Sequence, residues 1–222
     1  MTAPLDSTLV AQYLRDHPHF FDEQAGLLGE VKLSSPLTGR AVSLQERQME
    51  VMREKYKALE LRMSDLNRLA QENAAIAGKF HVWNQGMLLE RDIDAMPRAV
   101  ADGIKTAFDV PQTTLRLWNV APAYADAWFT RDVTEDARMF ADSLQAPYCG
   151  SNHDFEAVRW LEDAASVQST VILPLRAAGA KAAFGLLILG SPDPARFTAG
   201  MGTDFLVHIG ATASAALSAL HA

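Results

Sequence analysis

The sequence predicts an α+β chain. An antiparallel sheet flanked by helices is preceded by a helical N-terminal region and a long coiled-coil helix. Three observations predict it. Met49, Met52, Tyr56, Leu59, Met63, Leu66, Ala70, Asn73, Ala77 and Phe80 recur at alternating spacings of three and four, the signature of heptad positions a and d. Two apolar runs, 169–175 and 182–189, lie either side of an Ala177-Ala178-Gly179-Ala180 turn and read as central strands buried on both faces. Helix signals bracket these strands on both sides.

The N-terminal region, residues 1–42, is read as small helices. Asp6 is a candidate N-cap, and Leu9, Val10, Tyr13 and Leu14 share one face before Pro18 ends the run. Phe20 and Phe21 follow as anchors. A second helix is expected over 22–31, burying Leu27, Leu28 and Val31, and residues 34–39 have the composition of a linker. The coiled-coil segment, 43–84, opens on a capping box, Ser43-Leu44-Gln45-Glu46, and meets no proline until Pro97. At 1.5 Å per residue it is a rod of about 60 Å, too long for a domain of this size to cover. Its stripe therefore calls for a second copy of the chain. In a parallel register Lys55 at g faces Glu60 at the following e, and Asn73 on the seam fixes register at some cost in stability.

Residues 85–222 are read as one domain. Asp94 and Pro97 open a helix that buries Val100, Ile104 and Phe108. Residues 113–118 alternate as a strand, and 127–129 read as another. Thr134, followed by Glu135 and Asp136, caps a helix, 146–153 is a loop, and 155–161 is a short helix. A terminal helix spans 203–220 and is expected beside the first helix of the domain.

Length and charge exclude several classes. The chain has 222 residues, 49% of them hydrophobic, too many for a disordered chain. Lys plus Arg is 20 against 27 Asp plus Glu, a net charge of −7, which argues against broad nucleic-acid binding. With a single cysteine, Cys149, neither an internal disulfide framework nor a Cys-rich zinc site is available. Residues 1–17 lack the apolar core of a secretory signal, and no stretch reads as a membrane span, so a cytoplasmic protein is expected.

The order helix, strand, strand, helices, strand, strand, helix is the plan of GAF and PAS-type sensory domains. Four segments carry a closer resemblance: VAQYLRDHPHFF at 10–21, VSLQERQMEVMR at 42–53, APYCG at 146–150 and FGLLILGSPDPARFTAGMGT at 184–203. Through them the chain resembles the bacterial domain-of-unknown-function family numbered 484, whose members contain a GAF-like domain. The resemblance implies a GAF-like fold, and GAF-like domains generally bind small molecules or mediate regulatory dimerisation. It implies a ligand between the sheet and the helical insert. The expected lining is Leu117, Trp118, Trp128, Phe129, Tyr148, Cys149, Asn152 and His153, against the alternative that these aromatics are core. The spaced residue set of cyclic-nucleotide GAF domains is not apparent.

Other motifs carry less. Cys149 with His153 four residues on could form a reactive thiol, but thiol catalysis needs a way to resolve its intermediate and no second cysteine is present. His17 and His19 have a metal-like spacing, for which a turn with capping roles is the better reading. The amides of Gly200-Met201-Gly202-Thr203 could hold an anion, against a packing role. No nucleotide-binding, zinc-protease or hydrolase motif occurs. The expectation is a non-catalytic regulatory module without cofactor or metal. It is a homodimer through Met49, Met52, Tyr56, Leu59, Met63, Leu66 and Asn73, takes an unidentified small molecule, and signals to a protein partner without nucleic acid or membrane. The alternatives are a ligand-free adaptor that uses the N-terminal helices, and a Cys149-dependent thiol enzyme.

Overall fold

The computed structural model describes residues 6–30, 32–34, 41–198 and 204–221. The chain divides into two compact units, Met1–Gln71 and Glu72–Ala222, and one helix contributes residues to both.

In the first unit, α1 spans Ser7–Asp16, with the Asp6 carboxylate accepting a hydrogen bond from the Thr8 amide at 3.0 Å. The expected cap is therefore in place. His17 follows, its ring stacked on Tyr13 at 4.2 Å. The helix expected over 22–31 is instead two short ones, α2 at Phe20–Glu23 and α3 at Ala25–Glu30. The break falls at Gln24, where the chain turns out of helical geometry. Leu27 is exposed rather than buried, while Val31 and the Leu28 side chain lie outside the described residues. Strands β1 (Lys32–Ser34) and β2 (Ala41–Ser43) pair antiparallel, with Leu33 opposite Val42. This ribbon was not anticipated, and residues 35–40 of the expected linker lie outside the described residues.

Helix α4 begins at Leu44, one residue after Ser43, where the capping box places it. It runs 46 residues to Leu89, beyond the expected end at 84, for a length of about 69 Å. Every residue from Met52 to Lys79 is exposed. Gly78 and Gly86 lie inside the helix without ending it.

The second unit opens on the last turns of α4. Phe80, Trp83 and Met87, spaced three and four apart, pack into its core, and the Trp83 indole donates to the Val100 carbonyl at 3.2 Å. Helix α5 (Met96–Ala107) has Pro97 in its first turn and buries Val100, Ala101 and Ile104; Phe108 is half-buried at its C-cap. Its N-cap is Ala95, the residue after Asp94. The remaining elements are β3 (Gln112–Leu117), α6 (Glu135–Ser143), β4 (Tyr148–Ser151), β5 (Ser169–Arg176), β6 (Ala183–Ser191) and α7 (Asp204–Leu217). Thr134 caps α6, accepting from the Ala137 amide at 3.1 Å. The sheet has the order β3-β6-β5-β4 and is antiparallel throughout.

Helices α5 and α7 lie together on one face of this sheet, as expected, and α6 with a short 3-10 helix at Glu156–Trp160 lies on the other. This α+β layering, with helices on both faces of the sheet, explains the unbroken apolar runs. Val171, Leu173, Leu187 and Leu189 enter the α5/α7 core, while Ile172, Leu186 and Ile188 enter the core under α6. Gly179, at φ +77°, turns the chain between β5 and β6. Arginines close two helix ends. Arg176 donates to the Ala141 and Leu144 carbonyls of α6, and Arg196 donates to the Phe108 carbonyl of α5, where a cation complements the helix dipole.

Two expectations in this unit are corrected. Residues 127–129 do not form a strand: Trp128–Thr130 is a 3-10 turn, locked by the Thr130 hydroxyl donating to the carbonyls of Ala125 and Ala127. The loop expected over 146–153 contains β4, which pairs Tyr148 with Ile172 and Cys149 with Val171.

Gly185 faces Leu117 and the Arg116 carbonyl across the β6–β3 pair, and a Cβ there would lie 2.6 and 2.7 Å from them. Gly185→Ala is therefore expected to lower stability by about 1–3 kcal/mol. Gly78 has open space around it, and Gly78→Ala should raise stability by about 0.5–1 kcal/mol. Urea unfolding of the two variants against the parent checks both signs.

Candidate functional site

The eight residues expected to line a ligand pocket are divided by the sheet. Leu117 and Trp118 are consecutive on an extended strand, so they point to opposite faces. Leu117, Phe129 and Cys149 are buried in the α5/α7 core, with Trp128 half-buried against it. Trp118 is buried under α6, and half-buried Tyr148 packs beside it. The Trp118 indole is fixed by donating to the Ala183 carbonyl at 2.7 Å, and the Tyr148 hydroxyl donates to the Ser151 carbonyl at 2.7 Å. Asn152 donates to the Val167 carbonyl at 3.1 Å, and its buried Oδ1 has no partner among the described residues. His153 is exposed, its ring 6.1 Å from that of Phe155.

Cys149 lies in a strand, 8% exposed, with Sγ donating to the Thr198 carbonyl at 3.4 Å. Burial pushes its thiol pKa up, away from the thiolate that nucleophilic chemistry needs. Its neighbour Tyr148 is likewise pushed up, first by burial and then by Cys149. Neither the thiol nor His153 is placed to activate the other by any hydrogen bond among the described residues. His17 and His19 are engaged locally: His17 Nδ1 lies 3.0 Å from the Tyr13 carbonyl, and His19 Nδ1 lies 3.0 Å from Asp22. Among the described residues no cluster of His, Cys, Asp and Glu is placed to hold a metal ion. The Gly200–Thr203 amides considered for an anion lie outside the described residues.

The seam residues are placed differently. Met49, Met52, Tyr56, Leu59, Met63 and Leu66 are between 52% and 69% exposed, and Asn73 is exposed in the same row. Six large apolar side chains on one stripe of one helix are thus exposed.

A second feature was not anticipated. An open cleft of about 740 Å³ beside β3 is lined by Arg116, Asp132, Thr134, Glu156, Arg159 and Trp160. Arg116 is held between two indoles, its guanidinium carbon 5.9 Å from the Trp128 ring centre and 5.7 Å from that of Trp160. Arg98 stacks on Trp128 as well, at 5.4 Å. Arg116 also donates to the Arg131 and Leu115 carbonyls and the Thr114 hydroxyl. Burial lowers its pKa, with Asp132 opposing the shift. Arg116 lies between Thr114 and Trp118 on the side of β3 that faces the core under α6.

The chain belongs to the family described as Protein of unknown function, DUF484, whose sequence model matches residues 1–218. It is 27% identical over 213 residues to the Uncharacterized protein YigA of Salmonella typhimurium, spanning 92% of this chain and 88% of that protein. Two solved structures are similar at 16% identity and a TM-score of 0.42. One is a GAF domain from Pseudomonas syringae pv. tomato, matched over 68% of this chain and 90% of that one. The other is a fragment of a methyl-accepting chemotaxis protein, matched over 64% and 98%. No helix among the described residues is long and apolar enough to cross a membrane.

Cys149 should resist a thiol reagent such as Ellman's reagent in the folded protein at neutral pH and react at once in denaturant. Because the folded thiol titrates above its unfolded value, its stabilising contribution is full below the unfolded thiol pKa and is lost as pH rises through the raised one. Rapid labelling of the native protein would contradict this.

Proposed function

We propose that the protein is a dimeric, non-catalytic regulatory module whose two copies pair in parallel through α4. The observation that carries this reading is the uncovered stripe from Met49 to Leu66 on a helix whose residues 52–79 are all exposed. An isolated helix has little stability in water, and most helices owe theirs to packing of an amphipathic face. A second α4 supplies that face.

Covering about half of each stripe side chain is worth about 1 kcal/mol per residue. Opposite charge at Lys55 and Glu60 adds about 0.5 kcal/mol per exposed pair and therefore selects register more than it stabilises. Asn73 opposite its counterpart satisfies its amide only when the two chains are aligned in register. In the same helix Phe80, Trp83 and Met87 are fixed in the core of the second unit. A change in that core is thereby tied mechanically to the seam, which is the property a regulatory module requires. A small molecule bound by the second unit would be the input and a partner protein the output.

Sedimentation velocity tests the pairing. The parent should sediment as a dimer at micromolar concentration. Leu59→Asp with Met63→Asp should sediment as a monomer, while tryptophan fluorescence of the second unit stays unchanged. A parent that is monomeric across that concentration range would overturn the reading.

A further inference from the structure

The cleft beside β3 presents charges of both signs that form no ion pair among the described residues. Arg116 is half-buried, yet its hydrogen bonds go to neutral oxygens, and its Nη2 has no partner among the described residues. Desolvating a guanidinium without a hydrogen-bonded carboxylate is costly, and the charge of Asp132 and the indole faces of Trp128 and Trp160 offset only part of that. Arg159 makes no hydrogen bond or ion pair with a described residue, and neither does the Asp132 carboxylate. Glu156 is held at one oxygen by the Thr134 hydroxyl, 2.7 Å away, leaving the other oxygen available. Trp160 is itself held in place, its indole donating to the Asp132 carbonyl at 3.0 Å.

Two cations and two anions lining one cleft select against large ligands of a single charge. A polyanion such as a nucleotide meets Asp132 and Glu156, and a polycation meets Arg116 and Arg159. A ligand with one carboxylate and one ammonium meets neither objection. The guanidinium fork is the natural partner of a carboxylate, and an indole face suits an apolar body. We propose that this cleft binds a small zwitterion of the free α-amino acid class, with its carboxylate on Arg116 and Arg159 and its ammonium on Asp132 and Glu156. Binding here involves the second unit alone and is independent of pairing through α4.

Calorimetric titration of the full chain with each proteinogenic α-amino acid in turn tests this. At least one should bind with a submillimolar Kd, and its des-amino carboxylate and its decarboxylated amine should each bind at least about tenfold more weakly. Arg159→Gln and Asp132→Asn should each weaken binding by about tenfold or more at unchanged thermal midpoint. Asp132 sits at φ +57°, a conformation asparagine also adopts readily, so that variant keeps the local backbone. Three outcomes overturn the assignment: no amino acid binding at millimolar concentration, a des-amino carboxylate or inorganic phosphate that binds as tightly as the best amino acid, or parental affinity in both variants. The comparison of analogues on the parent protein decides the matter even where a variant fails to fold.

Discussion

Water meets the apolar stripe of α4 along much of the helix. From Met52 to Lys79 each residue is exposed, and Met52, Tyr56, Leu59, Met63 and Leu66 occupy one row of that surface. The hydrophobic effect scales with the apolar area removed from water, so covering such a row is a substantial gain. A cover of matching length and period is a second α4. The proposed dimer, its parallel register and its coupling to the core all rest on that one exposed row.

The same helix changes its partner along its length without changing its period. Met63 and Leu66 continue a spacing of three and four that Phe80, Trp83 and Met87 repeat, yet the latter three lie in the core of the second unit. A periodic stripe states that a face must be covered; it does not state by what. For this reason the periodic stripe was legible in the sequence while Trp83, the indole that anchors α4 to Val100, was not.

Elsewhere legibility followed the strength of local signals. The apolar runs of β5 and β6, the Thr134 cap and the Pro97 helix start are each dictated by nearest-neighbour chemistry, and each was readable. Strand β4 was not, because Pro147, Gly150 and Ser151 spell a loop, and only pairing with β5 makes Tyr148–Ser151 extended. Trp128 and Phe129 have strand composition, but the Thr130 hydroxyl closes a turn on them. Leu117 and Trp118, expected to line one pocket, lie in different cores on opposite faces of the sheet, as neighbours along extended chain do. The charged cleft was missed for the opposite reason: Arg116, Asp132, Glu156 and Arg159 are scattered in sequence and are gathered only by the fold.

Pairing of α4 is tested most directly by a distance between copies. A single nitroxide at Lys57→Cys, in a Cys149→Ser background, reports that distance by pulsed electron resonance. A parallel pair in register gives one narrow distance of about two helix diameters, some 25 Å. The same short value should recur when the label is moved to Ser64→Cys. Absence of any dipolar coupling between copies at either position would contradict the dimer, and distances that change with label position would contradict its parallel register.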